Sequence, residues 1–261
     1  MQIYGSVCKL TLIGLATVLL MFDAPLPGQA VEICNARDMQ GAWVTQPQGF
    51  FTAGPVAGPF AATGTLVFDG VGQFTGTATS SFNGQIIFPF GADGTYTVTP
   101  DCRLKTFEQT LRISFEGGLV NNKTEVLLYE PDPTSITLVQ LRRQNIAVCD
   151  PAGIKDTWTL SATGSDIISG GRFAMIARLA FDGSGKVTGI GSRSDNGDIT
   201  RDARYSGTYT LNPTDCSLKL KLTDDTGLNS GYYGAFFDNL RQLNFISNEP
   251  GRVVTGYGKR P

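Results

Sequence analysis

The chain has 261 residues, a net charge of −2, no histidine, 32 glycines and only 17% charged residues. Neither half is basic enough to attract nucleic acid by charge. The lack of histidine excludes Ser-His-Asp and Cys-His nucleophilic systems and histidine-ligated metal centres, and no motif asks for a cofactor.

Residues 1–30 read as a secretory signal peptide. Lys9 gives a basic start, Leu10 to Phe22 is an apolar run, and Gly28-Gln29-Ala30 offers small residues at a cleavage site. The run is too short for a transmembrane helix, and nothing later in the chain resembles one. The expected location is extracytoplasmic, periplasmic or secreted. Four cysteines then remain, Cys34, Cys102, Cys149 and Cys216.

From there the chain states one pattern twice. Leu66 to Gly76 (LVFDGVGQFTG) returns 113 residues later as Leu179 to Gly189 (LAFDGSGKVTG), and Gly94-Thr-Tyr-Thr97 returns as Gly207-Thr-Tyr-Thr210. Cys34, Trp43 and Cys102 return as Cys149, Trp158 and Cys216. A fixed offset of this length predicts two copies of one fold, with residues 31–143 as the first module and 144–261 as the second. Each copy should close its own cysteine pair, Cys34 with Cys102 and Cys149 with Cys216.

Strand signals dominate both copies. Met175, Ala177, Leu179 and Phe181 alternate with other residues, as do Leu218, Leu220 and Leu222 with Lys219 and Lys221. Phe107, Gln109, Leu111, Ile113 and Phe115 are expected to share one strand face. Ile136–Leu141 and Arg252–Tyr257 read as closing strands. Asp69-Gly70, Asn83-Gly84, Asp182-Gly183 and Asn196-Gly197 are hairpin dipeptides. A short helical turn is the most that precedes Trp43 or Trp158. Arg142 to Val148 reads as a short linker. The expected fold is all-β, two tandem antiparallel modules of about seven to eight strands each, as barrels or sandwiches.

The motifs that suggest chemistry have plainer readings. FDGxG could suggest calcium, but one Asp per turn falls short of the six to eight oxygens calcium takes; Asp capping its own backbone is the simpler account. Asp225-Thr226-Gly227 matches one aspartic-protease loop, but the first copy has no partner loop. Tyr96, Tyr209, Trp43 and Trp158 read as core anchors. No metal site and no catalytic constellation is expected. One difference between the copies stands out. The hairpin around Asn83 is apolar, with Phe82, Ile86, Ile87, Phe88 and Phe90, where the second copy has Asp195, Ile199, Thr200, Arg201 and Ala203. That hairpin either packs within the molecule or offers a patch or portal to an apolar ligand or partner.

Gly41-Ala42-Trp43 at the start of the first strand resembles the GxW of lipocalin-like, calycin-type barrels, and LxFDGxG followed by GTYT is similar to a module of secreted bacterial proteins. The resemblance implies that Trp43 packs at a closed barrel end against an arginine of the last strand, Arg142 or Arg143, with Lys259 or Arg260 as the counterpart in the second copy. The functional expectation is a non-catalytic extracytoplasmic binding protein for an apolar small molecule or a partner surface. A structural protein interacting with the cell envelope, with filled barrels, is the alternative. A carboxylate-dependent enzyme is a minor one.

Overall fold

The computed structural model describes residues 33–55 and 57–261, and the backbone alone at Phe88. The signal-peptide segment lies outside the described residues. The chain forms two closed eight-stranded antiparallel barrels in tandem. Barrel 1 comprises β1 (Gly41–Phe51), β2 (Gly58–Phe68), β3 (Gln73–Phe82), β4 (Gln85–Val98), β5 (Arg103–Glu108), β6 (Ile113–Val120), β7 (Glu125–Tyr129) and β8 (Ser135–Arg143). Barrel 2 comprises β9 (Asp156–Asp166), β10 (Gly171–Phe181), β11 (Lys186–Asp195), β12 (Asp198–Leu211), β13 (Ser217–Asp224), β14 (Asn229–Phe237), β15 (Gln242–Ser247) and β16 (Arg252–Lys259). Each strand pairs with the next, and the last pairs with the first, which leaves no free sheet edge.

The turns follow from their residues. Asn83 and Gly84 both take positive φ, as do Asn196 and Gly197, the geometry a two-residue hairpin requires. The Asp69 carboxylate accepts the backbone N–H groups of Val71, Gly72 and Gln73 at 2.8, 3.0 and 2.9 Å. Asp182 does the same for Ser184 and Lys186 at 2.7 and 2.9 Å and also binds the Ser184 hydroxyl. These donors stabilise the ionised carboxyls. The Gln73 N–H leads in lowering Asp69 below the usual carboxylate range, and the Ser184 hydroxyl leads in bringing Asp182 down to about 2. Asp225 likewise lies in a turn, where its carboxylate accepts the Arg204 N–H at 3.3 Å.

One end of each barrel is plugged. A 3-10 turn, Ala36–Met39, precedes β1 and is capped by Asn35; its counterpart, Pro151–Ile154, is capped by Asp150. Trp43 and Trp158 are fully buried and donate their indole N–H to Met39 O at 2.6 Å and Ile154 O at 3.0 Å. The Arg143 guanidinium lies 4.5 Å from the Trp43 ring and donates to the carbonyls of Gln40 and Asp38. In barrel 2, Arg260 donates to Gly153 O at 2.9 Å. The disulfides Cys34–Cys102 and Cys149–Cys216 tie the segment before each plug to a turn at the same end.

Two expectations require correction. Phe107 and Phe115 do not share a strand, because β5 ends at Glu108. The Glu108 side chain accepts the N–H groups of Thr110 and Leu111, and Arg112 takes positive φ, so the chain turns there. Phe107 is therefore 40% exposed on the outside, while Phe115 packs inward. Arg142 and Arg143 belong to β8 and not to the linker, because both pair with β1.

The barrels pack side by side through β1, β2 and β3 against β14, β15 and β16. Val44 meets Ala235 and Phe237, and Ala61 meets Ile246 and Val253. Gln46 donates to Gly256 O at 3.0 Å, Thr255 to Gln48 at 2.9 Å, and Ser81 to Arg252 O at 2.9 Å. The Asn83-Gly84 hairpin is part of this contact. The Gly251 N–H reaches Gly84 O at 2.7 Å, and a Cβ on Gly84 would lie 2.7 Å from Gly251 Cα.

Candidate ligand-binding cavity in barrel 1

Strand alternation sends every second side chain into a barrel, so the sizes of those residues decide whether it is solid or hollow. The ladders align the two interiors. Tyr96 pairs with Thr106 in barrel 1, and Tyr209 with Leu220 in barrel 2. Thr106 pairs with Phe115, and Leu220 with Tyr232. Leu128 and Val139 correspond in the same way to Phe245 and Gly256. On β2 and β4 the 113-residue offset sets Ala62 against Met175 and Ala92 against Tyr205.

At most of these positions barrel 2 carries the larger side chain, whereas Gly256 is smaller than Val139 and Ala203 smaller than Phe90. Met175, Tyr205, Leu220, Tyr232 and Phe245 all belong to one continuous core with Trp158. A Cβ on Gly256 would lie 2.1 Å from the Phe245 ring, so only glycine leaves room for that phenylalanine. At the mouth of barrel 2, Arg193 pairs with the fully buried Asp224 and with Asp195, and Arg252 lies 3.1 Å from Glu249 and 3.6 Å from Asp166. Burial is the main effect raising the Glu249 carboxyl, and Arg252 opposes it.

Barrel 1 has Ala62, Ala92, Thr106, Leu128 and Phe115 at those places and encloses a cavity of about 100 Å³. It runs from Phe68 and Phe74, above the plug, to Phe51, Glu108 and Glu130 at the mouth. The lining is mostly aliphatic and aromatic. Ser80 also borders it, and its buried hydroxyl has no hydrogen-bond partner among the described residues. Glu108 is 8% exposed. Glu130 accepts the Ser135 hydroxyl at 2.6 Å, and Ser135 contacts Thr137 at 2.6 Å.

The residues singled out in the apolar hairpin separate. Phe82 is buried and stacks on Phe60 at 4.7 Å, with Phe51 at 5.9 Å. Phe90 lines the cavity, Ile86 is half-buried and Ile87 is 43% exposed. The exposed apolar side chains gather elsewhere, on the outer faces of β1, β7 and β8. There Phe50 pairs with Ile136, and Leu138 with Tyr129. Cys34 and Cys216 are buried beside the plugs, and Tyr96 donates to Ala36 O at 3.0 Å.

No family model and no curated protein matches the chain. Among solved structures it is similar to a putative AttH from Nitrosomonas europaea, at 11% identity and a TM-score of 0.29, over 89% of this chain and 98% of that one. It is also similar to the isotype 1 transferrin binding protein B of serogroup B Neisseria meningitidis, at 8% identity and a TM-score of 0.25, over 85% and 77%. A protein of unknown function from Nostoc punctiforme follows at 11% identity and a TM-score of 0.23, over 87% and 99%. Scores this low carry no argument, and the fold rests on the strand pairings. No described helix is long and apolar enough to cross a membrane.

Proposed function

We propose that the protein is a non-catalytic extracytoplasmic binding protein that holds an apolar small molecule in barrel 1, with barrel 2 as a solid support. One observation carries this reading. At Ala62, Ala92 and Thr106 barrel 1 has a smaller residue than Met175, Tyr205 and Leu220 of barrel 2, and although Phe74, Phe90 and Val139 are larger than Val187, Ala203 and Gly256, barrel 1 keeps a cavity of about 100 Å³. An engineered apolar cavity of about 150 Å³ takes up benzene, and this one is about 100 Å³, so the occupant is smaller than a ring of that size or is a short, slender acyl chain. The paired disulfides fit an oxidising compartment.

The test is calorimetric titration with hexan-1-ol of the wild-type chain and of Ala92→Tyr, which copies Tyr205. Saturable one-site binding to the wild type, lost in the variant, supports the reading. Equal binding to both places the alcohol outside the cavity and overturns it. A second reading, an interaction protein of the cell envelope, is favoured by the outward stripe of Phe50, Tyr129, Ile136 and Leu138. It predicts that Leu138→Lys abolishes partner capture without changing hexanol binding.

A further inference from the structure

We infer that the protein rests on a lipid surface through the rim where the mouth ends of the two barrels meet, with Phe50, Ile87 and Ile168 entering the boundary between headgroups and acyl chains. Both mouths lie at the same end, because the Asn83-Gly84 hairpin of barrel 1 meets the Gly251 turn of barrel 2 there. Four turns join into one rim. A Cβ on Gly58 would lie 2.4 Å from Asn83 Oδ1, and a Cβ on Gly251 would lie 2.4 Å from Ile168 Cδ1, so each turn touches the next. Phe50 and Pro59 line one cleft with Ile167 and Gly170, which closes the row between the barrels. On this rim Ile168 is 84% exposed, Phe50 46% and Ile87 43%.

Single exposed apolar side chains are ordinary on a protein surface. What sets these apart is the absence of charge around them. Between Asp38 and Asp93 the sequence has one charged residue, Asp69, and it lies in a turn at the plugged end. The turns at residues 52–57, 83–84 and 167–170 have none. The turn at 248–251 has Glu249 alone, and its carboxylate is turned inward, 3.1 Å from the Arg252 guanidinium and accepting the Gly231 N–H at 3.1 Å. Charges resume at the borders of the rim, with Asp198 in the β11–β12 hairpin and Asp132 after β7. The plugged end is the opposite: Asp69, Asp101, Asp182, Asp238 and Arg241 are all exposed in its turns. The molecule is thus amphipathic from one end of its barrels to the other. A protein partner is recognised by one packed, shape-matched patch. Apolar tips on separate turns suit a fluid apolar layer, where binding follows the apolar area buried. The exposed Arg172 lines the same cleft as Phe50 and stands where a lipid phosphate would lie. The mouth of barrel 1 opens at this end, so acyl chains would lie beside it; that link alone rests on the cavity being a ligand site.

The experiment floats the full mature chain through a density gradient with vesicles of phosphatidylcholine, alone or mixed with phosphatidylglycerol. Burying one large apolar side chain is worth about tenfold in partition, so three give on the order of 10³ M⁻¹, below the ~10⁴ M⁻¹ of a single myristoyl chain. Binding to phosphatidylcholine is therefore expected at millimolar lipid, and high salt should not weaken it. Phosphatidylglycerol should strengthen binding about fivefold at low salt, and Arg172→Gln should remove that gain. Ile168→Asp should weaken binding to phosphatidylcholine at least about tenfold, and Ile168→Ala should act in the same direction without adding a charge. Val71→Asp, at a residue 82% exposed at the plugged end, should leave it unchanged. Each variant is first shown to unfold cooperatively. A wild-type chain that stays unbound at millimolar lipid, or equal losses in Ile168→Asp and Val71→Asp, overturns the assignment to lipid. Titration with hexan-1-ol in the absence of vesicles reports on the cavity separately. Its failure removes the cavity reading and leaves the rim standing, and unchanged hexan-1-ol binding by Ile168→Asp shows that the loss lies at the rim.

Discussion

Replacing Ala62 by methionine, the residue at the aligned position of barrel 2, should stabilise the protein. Ala62 is 2% exposed and lines the cavity. The substitution adds three heavy atoms. At ~0.8 kcal/mol per buried methylene that is a gain of about 2.4 kcal/mol. Fixing the flexible methionine costs about 1.5 kcal/mol, which leaves a net gain of about 1 kcal/mol. The cavity sets a ceiling: about 100 Å³ at ~24 cal/mol per Å³ amounts to about 2.4 kcal/mol. For a chain of this size a net 1 kcal/mol raises Tm by about 2–4 °C. Urea unfolding with the disulfides intact measures it. The mirror substitution, Met175→Ala, opens a void in a filled core and should cost about 2–5 kcal/mol. Opposite signs at aligned positions are the signature of one hollow and one filled barrel. If Ala62→Met destabilises the protein by more than about 1 kcal/mol, barrel 1 is already packed and the reasoning fails.

Asp182 has its folded-state carboxyl lowered to about 2, mainly by the Ser184 hydroxyl. A depressed carboxylate contributes stability above its unfolded pKa, and that contribution is lost as pH falls through the folded one; the loss should therefore run from about pH 4 to pH 2. Carboxyl-detected NMR checks it, and an Asp182 titrating at an ordinary aspartate value in the native state would refute it. Gly84→Ala should destabilise by about 1–3 kcal/mol, since it forces a side chain into positive φ. It should cost more than Gly197→Ala, because a Gly84 Cβ would meet Gly251 whereas nothing lies within 4 Å of a Gly197 Cβ. Equal losses in thermal unfolding would mean that the contact between the barrels adds nothing at that point.

Much of the fold is legible in the chain because it is written in local signals. Alternation along Gly171–Phe181, the Asn-Gly dipeptides and the repeated cysteines each specify a nearby geometry, and all agree. The break after Glu108 is not legible by periodicity, because Phe107 and Phe115 keep even spacing through a turn made by a side chain capping backbone N–H groups. The apolar hairpin drew attention for its composition, yet a register shift between Ala78 and Ser80 separates its residues, with Phe82 and Phe90 turned inward and Ile87 outward. The cavity left a fainter trace. Ala62 against Met175, and Ala92 against Tyr205, stand at the same offset that reveals the two copies. They become informative only when inward positions are compared for size instead of all positions for identity.

The side-by-side packing has a mechanical consequence for barrel 1. Its first three strands lean on a rigid neighbour, so the wall they form is braced. The opposite wall, β5 to β7, has no such backing among the principal contacts between the barrels. Breathing should therefore concentrate there, around the Glu108 and Glu130 turns, and a guest would come and go through the unbraced side.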